Sequence, residues 1–324
     1  MALKYLPLRL MILSGLLLSV ACSESRIQQK RTLSFSEPRQ ATIEKGPLLA
    51  THFSSLEDLS ANIDITYKKS SNFSTFFGQE SSSVHLIHEG YGKEVTSILE
   101  AGLDEKDITD ARDGGILSQL ELVISSPRFA RNRQDMLRVY LLARRDFKTF
   151  GEGDAAFYDL AERMLYNIDE DDLALISSSD LSEKGYLNTF NHITAQTFMT
   201  LLFSEDLADL VADIHERTNM VELITGAFTE AQLADLETGP VDNYVDMINN
   251  EWGQELGKAL KAKYNISRAT IWTSELLTDV LNDIQAYYSW AFQMGFKPFQ
   301  PTDEKIIRFS FKLNKVMREL SSLS

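Results

Sequence analysis

Apolar residues recur three and four positions apart along most of the chain after residue 84. This spacing is typical of amphipathic helices, in which residues i, i+3 and i+4 share one face. It predicts helices over 93–101, 132–146, 155–167, 187–203, 206–218, 241–264, 271–293 and 303–320. No run shows the long period-two alternation of a half-buried strand. We therefore expect an all-α fold, with a single multi-helix domain over residues 84–324.

The N-terminus has a different pattern. Lys4 and Arg9 precede an apolar run over 10–20, which is shorter than the roughly 20 residues that a membrane-spanning helix needs. Basic residues before a short apolar run are typical of a secretory signal peptide. We predict that this signal covers residues 1–21.

The apolar run ends in "LSVAC", which resembles the processing box of bacterial lipoproteins. The resemblance implies that Cys22, the only cysteine of the chain, is lipidated and becomes the first residue of the mature protein. Several acyl chains on one cysteine would anchor the protein stably to a membrane. By the sorting pattern of such lipoproteins, Ser23 after the cysteine implies the outer membrane, facing the periplasm. An acylated Cys22 would also leave no thiol for disulfides or for cysteine–zinc sites.

Residues 22–83 are polar and rich in serine, without a sustained helical period. We expect a flexible tether here, reaching on the order of 45 Å from the membrane if it behaves as a coil. His52 lies in this segment and is expected to be solvated or loosely packed.

The formal net charge of −15 excludes some classes of function. So acidic a chain is repelled by nucleic acid and by anionic lipid headgroups, and we expect no nucleic-acid partner. The sequence also contains neither a Gly-rich phosphate loop nor a G-x-S-x-G nucleophile elbow. Partners are therefore expected to be the membrane, through Cys22, and another protein of the envelope.

Two histidines in the second half are predicted to meet. His192 and His215 are 23 residues apart, which is about 35 Å along one straight helix. The stretch from Ser204 to Asp206 is a plausible helix break, and it lies midway between them. An antiparallel helical hairpin folded at this break would bring the two imidazoles level.

The following predicted helix carries an unusual stripe. Asp246, Asn249, Asn250, Gly253 and Gly257 lie beside an apolar face at helical spacing. Glycine costs about 1 kcal/mol in a helix relative to alanine, and asparagine somewhat less. We interpret the stripe as a face on which another helix approaches closely, next to polar side chains.

These residues together resemble an uncharacterised bacterial and phage domain family, with a His, then His-Glu, then a helix with Asp-x-x-Asn-Asn-x-x-Gly. The resemblance covers residues 187–264 and departs from the family at Asn191 and Ile193, which flank the first histidine. It implies a shared site whose activity is not established for the family. The matching positions are His192, His215, Glu216, Asp246, Asn249, Asn250 and Gly253.

A second stretch, "HLIHEGYGKEVTSILEAGL", resembles the opening of all-α zinc-dependent phospholipases C and related nucleases. That resemblance implies that His85 and His88 could ligate zinc. Imidazole and carboxylate are ligands that suit zinc.

Two functions remain open from the sequence. In the first, the domain is an interaction or scaffold module whose His/Asp/Asn cluster is structural. In the second, it is a metal-assisted or histidine-based hydrolase acting on phospholipid, peptidoglycan peptide or protein of the envelope. The candidate catalytic residues are His192, His215, Glu216, Asp246, Asn249 and Asn250. A divalent metal such as zinc could be held by His192, His215 and Asp246, with His85 and His88 as further candidate ligands.

Overall fold

The structure is a computed structural model, and it describes residues 46–69, 82–90, 92–113, 126–235 and 239–319. The predicted signal peptide, Cys22 and residues 23–45 and 70–81 of the predicted tether lie outside these residues. None of the described helices is long and apolar enough to cross a membrane.

The described residues form thirteen α-helices, which carry most of the fold. Seven of the eight predicted helices are confirmed, with ends that differ by at most five residues. The helices are α1 Leu56–Ser60, α2 Glu105–Asp113, α3 Pro127–Ala143, α4 Phe147–Phe150, α5 Phe157–Tyr166, α6 Glu170–Leu173, α7 Tyr186–Leu202, α8 Glu205–Arg217, α9 Glu222–Thr225, α10 Glu230–Ala234, α11 Pro240–Lys263, α12 Ser274–Phe292 and α13 Glu304–Glu319.

The expectation of an all-α fold is only partly correct, because the chain also forms a small antiparallel sheet. Its strands are β1 Asp64–Lys69, β2 Ser82–Gly90 and β3 Lys93–Glu100, in the order β1-β2-β3. The helix predicted over 93–101 is therefore wrong, since β3 occupies these residues. In the register of β2 and β3, Val84 faces Leu99.

The error at β3 arises from an ambiguous apolar spacing. Val95, Ile98 and Leu99 lie three and four positions apart, as in a helix face. In the fold, however, Val95, Ser97 and Leu99 are buried in alternation, whereas Ile98 is 48% exposed. Because side chains of a strand alternate between two faces, Ile98 lies on the outer face of the sheet.

Part of the predicted tether belongs to the folded domain. Residues 46–53 run as an extended segment and one 3₁₀ turn across the helices, and they are followed by α1 and β1. Leu48 and Leu49 are each only 1% exposed. Leu48 packs in the apolar cluster under the sheet, and Leu49 packs in the larger cluster among the helices. The described fold thus begins well before the predicted boundary at residue 84.

Helices α7 and α11 pack closely side by side at the centre of the domain. A Cβ atom added at Gly253 would lie 2.8 Å from the carbonyl oxygen of Ile193. One added at Gly257 would lie 2.7 Å from the carbonyl oxygen of Thr197. These separations are shorter than any normal van der Waals contact, so glycine is required at both positions. The close approach interpreted from the glycine stripe is confirmed.

This packing gives a test of the helix spacing. Gly253→Ala should lower the free energy of unfolding by about 2 kcal/mol. The clash with a backbone oxygen places the overpacking near the upper end of about 1–3 kcal/mol, and the gain in helix propensity offsets only about 1 kcal/mol of it. Gly102→Ala is the control, since its added Cβ would come no closer than 3.4 Å, to Arg217. Urea denaturation of both variants measures the difference. A Gly253→Ala protein as stable as wild type would show that α7 and α11 are not in such close contact.

Candidate metal centre

The hairpin of α7 and α8 forms as its sequence predicts. Ser204 caps α8, because its hydroxyl accepts a hydrogen bond from the backbone N–H of Leu207 at 3.2 Å. The chain reverses at this point, and the ring centres of His192 and His215 lie 6.1 Å apart. The predicted convergence of the two imidazoles is therefore confirmed.

His192 is buried at the contact between α7 and α11. Its Nδ1 lies 3.0 Å from Oδ1 of Asn250, and its Nε2 lies 3.2 Å from Oδ2 of Asp246. Asn250 also donates from Nδ2 to Oε1 of Glu216 at 3.0 Å, so it bridges the histidine and the glutamate. Asn188, one helical turn before His192, donates to the other oxygen of Asp246 at 2.9 Å.

These contacts define the protons on His192. Because Oδ1 of Asn250 can only accept, Nδ1 of His192 carries a proton. In a neutral imidazole Nε2 is then the unprotonated nitrogen, and it lies 3.2 Å from Oδ2 of Asp246. Burial lowers the pKa of His192 to about 4 and raises the pKa of Asp246 to about 6. Both shifts favour the uncharged form of each group, and His192 is therefore a neutral imidazole at neutral pH.

His215 lies in the last turn of α8 and is 30% exposed. Its Nδ1 lies 2.9 Å from Oε1 of Glu105, on α2. Burial acts to lower the pKa of His215, but the hydrogen bond to Glu105 and the nearby charge of Glu216 outweigh it and raise the pKa to about 9. The negative end of the helix dipole at this position also favours a cation.

The polar cluster around His192 and His215 contains the carboxyl groups of Glu105, Glu216, Asp242 and Asp246. These outnumber its cationic side chains, Lys184 and His215. Burial raises the pKa of Glu216 to about 8 and that of Asp242 to about 7, and it also raises the pKa of Glu105. Lys184 donates to Oδ2 of Asp242 at 2.7 Å. The other oxygen of Asp242 is buried and has no hydrogen-bond partner among the described residues. The cluster would therefore be stabilised by additional positive charge.

Three side chains are placed to share a metal ion. His192, His215 and Glu216 each offer a ligand atom, and these atoms lie within 4.8 Å of one another. Donor atoms around a tetrahedral zinc ion are about 3.3 Å apart, as follows from metal–nitrogen distances of about 2.0 Å. Side-chain movements of about 1 Å would bring them to that separation. The sequence predicted Asp246 as the third ligand. In the structure Glu216 is the carboxylate of this set, and Asp246 contacts His192 instead.

Asn249 is not part of the cluster, although the sequence grouped it with Asn250. Its side chain accepts from the backbone N–H of Leu48 at 2.8 Å and donates to the carbonyl of Leu48 at 2.9 Å. Consecutive residues of a helix point about 100° apart, so Asn249 and Asn250 face different neighbours. Asn249 holds the extended N-terminal segment in place.

The other predicted ligands lie elsewhere. His85 and His88 are on β2, where residues three apart point to opposite faces, so they do not share a site. His88 accepts from Nε1 of Trp252 at 3.1 Å, and His85 lies 3.2 Å from the hydroxyl of Ser83. His52 is not solvated as expected, because it pairs with the buried Asp180 at 3.3 Å.

The remaining members of the cluster differ in how far their positions could be predicted. Asp242 and Asn188 lie one helical turn from Asp246 and His192, so helical spacing could have identified both. Glu105 is 110 residues from His215 and has no local signal. Lys184 lies in the loop before α7 and has none either.

A small pocket opens beside Glu216 and Asn250. Its walls come from β3, α8 and α11, and they include several acidic side chains but no lysine or arginine. Two of these acids, Asp209 and Asp213, are paired with Arg128 and Arg217. The lining residues are Ser97, Leu99, Asp209, Ala212, Asp213, Glu216, Met247, Asn250 and Glu251.

The role of Asn249 can be tested apart from that of the cluster. Asn249→Ala should lower the free energy of unfolding by about 1–3 kcal/mol, because the buried N–H of Leu48 loses its partner. Thr189→Val is the matched control, since Thr189 also donates to the carbonyl of Leu48, at 3.0 Å, but Asn249 remains to satisfy that oxygen. Urea denaturation measures both variants. Equal losses would contradict this assignment.

Comparisons with known proteins were made for the whole chain. No family model, curated protein or solved structure matches it. The two family resemblances drawn from the sequence therefore stay predictions, and the function must be argued from the geometry of the cluster.

Proposed function

We propose that the domain binds one divalent transition-metal ion of the zinc class and uses it in hydrolysis of an envelope component. The proposal is carried by the three ligand atoms of His192, His215 and Glu216, which lie within 4.8 Å of one another. Two imidazoles and one carboxylate form a donor set used by catalytic zinc sites, which keep a further position open. When bound, such an ion supplies Lewis acidity for hydrolysis.

The residues around the three ligands support this proposal. Burial raises the pKa of Glu216 to about 8, although the nearby charge of His215 acts to lower it. A divalent cation would add to this partial compensation. The pocket beside Glu216 places further acidic side chains next to one of the three ligands. Imidazole and carboxylate donors favour zinc and other first-row divalent metals over calcium.

The envelope setting and the class of substrate rest on the N-terminal sequence. A signal peptide over 1–21 and a lipidated Cys22 would place the domain at the membrane, facing the periplasm. Phospholipid, peptidoglycan peptide and protein are the hydrolysable components within its reach.

The second candidate is a non-catalytic interaction or scaffold module. It is favoured by the hydrogen bonds that already join the cluster, since Asn250 bridges His192 and Glu216 while Asn188 binds Asp246. In that case the polar network serves to fix the packing of α7, α8 and α11, and the protein acts through its surface.

Metal content separates the two candidates. Purified protein, dialysed against zinc and then against metal-free buffer, should retain about one zinc ion per chain by elemental analysis, as expected for a site with three protein ligands. His192→Ala and His215→Ala should each lose it, because two protein ligands hold zinc poorly. His85→Ala is the matched control, since it removes an imidazole outside the cluster.

The scaffold candidate predicts a different result. No variant and no wild-type sample would retain zinc. His192→Ala would instead cost about 1–3 kcal/mol of stability, because buried partners such as Asn250 would be left unpaired. Wild-type protein without zinc after this treatment would overturn the proposed metal centre.

A further inference from the structure

We infer that Glu105 and Asp246 are positioning residues, which orient the two imidazoles so that each presents its other ring nitrogen to the metal. This inference rests on the proposed metal centre. It is motivated by a repeated geometry, because each candidate histidine ligand has one carboxylate on one ring nitrogen. The carboxylates come from different helices, α2 and α11.

At His215 the assignment of nitrogens is direct. Glu105 lies 2.9 Å from Nδ1, so Nε2 is the nitrogen left to coordinate. Glu105 is only 4% exposed, whereas His215 is partly open to solvent. The carboxylate therefore fixes the ring from the buried side and leaves the other side accessible. Metal-bound histidines usually donate their second ring N–H to a carboxylate, carbonyl or water in this way.

At His192 the geometry selects the opposite nitrogen. Asp246 lies at Nε2, and Nδ1 is the nitrogen that lies 3.9 Å from Oε1 of Glu216. Coordination through Nδ1 requires its proton to leave, because the metal takes the same lone pair. Nδ1 must also give up its contact with Asn250.

Asp246 can compensate for this change at the other side of the ring. Before binding, the neutral ring carries its one proton on Nδ1, facing the amide oxygen of Asn250. With a metal at Nδ1, the ring would carry its proton on Nε2 instead, and the Asp246 carboxylate would accept it. One proton leaves Nδ1 and one is taken up at Nε2, so the ring would remain neutral and held by Asp246.

An amide at position 246 would have the reverse effect. In Asp246→Asn the side-chain NH₂ can donate to Nε2, which fixes the proton of His192 on Nδ1. This is the wrong tautomer for coordination through that atom. In Glu105→Gln the amide oxygen still accepts from Nδ1 of His215, but the negative charge that strengthens the ring as a ligand is lost.

Zinc affinity, measured by competition with a chromophoric chelator, tests the inference. Glu105→Gln and Asp246→Asn should each bind zinc about 10–100-fold more weakly than wild type, as is typical when such carboxylates are removed. Asp180→Asn is the matched control. This substitution changes the buried carboxylate of the His52–Asp180 pair, which lies outside the cluster. The variant should bind zinc within about threefold of wild type, which is a smaller change than the loss of a carboxylate beside a ligand causes.

A spectroscopic readout distinguishes positioning from a general loss of structure. In ¹⁵N-labelled protein, the ring-nitrogen shifts of His192 should report the Nδ1–H tautomer in Asp246→Asn even after zinc is added, whereas wild type should convert to Nε2–H. Wild-type affinity in both carboxylate variants, with a wild-type response of the rings, would overturn this inference alone. If wild-type protein itself binds no zinc, the proposed function fails and the inference fails with it.

Discussion

The close contact between α7 and α11 is the constraint on which the cluster depends. Gly253 and Gly257 remove the Cβ atoms that would otherwise separate the two helices. The helix backbones can then approach until His192 reaches both Asp246 and Asn250, which lie one turn apart on α11. A wider spacing would replace these direct contacts with water and would leave the imidazole free to rotate.

Once the helices are that close, electrostatics decides what the cluster can do. Its carboxyl groups are taken from water, so burial favours their protonated forms. Lys184 compensates Asp242 from the loop side, and His215 carries the charge on the other side. A network of this kind can be purely structural, with protons on its carboxyl groups, or it can bind a cation that compensates their charge. The same side chains serve both, and for this reason metal content is the decisive measurement.

The sequence predicted the parts of this arrangement that follow from helical geometry. The turn at Ser204 and the spacing of His192 and His215 were sufficient to place two imidazoles together, because helices are rigid and their rise is constant. Which face of α11 meets them depends on packing, so Asn249 and Asn250 could not be told apart. Glu105 reaches the cluster through tertiary packing alone, and no local pattern identifies it. The sheet was missed because Val95, Ile98 and Leu99 fit a helical period, whereas only Val95 and Leu99 share a face of the strand.

The segment that carries Leu48 joins the N-terminal part of the chain to the two central helices. Asn249 forms two hydrogen bonds with the main chain of Leu48, and Thr189 on α7 forms a third. Each of these residues is the immediate neighbour of a cluster residue, Asn250 and Asn188. Mechanical tension applied before Gly46, as from an anchor at Cys22, would therefore be transmitted to α7 and α11 ahead of the sheet. In a domain tethered in this way, the pulling force would pass through residues directly beside the candidate metal ligands.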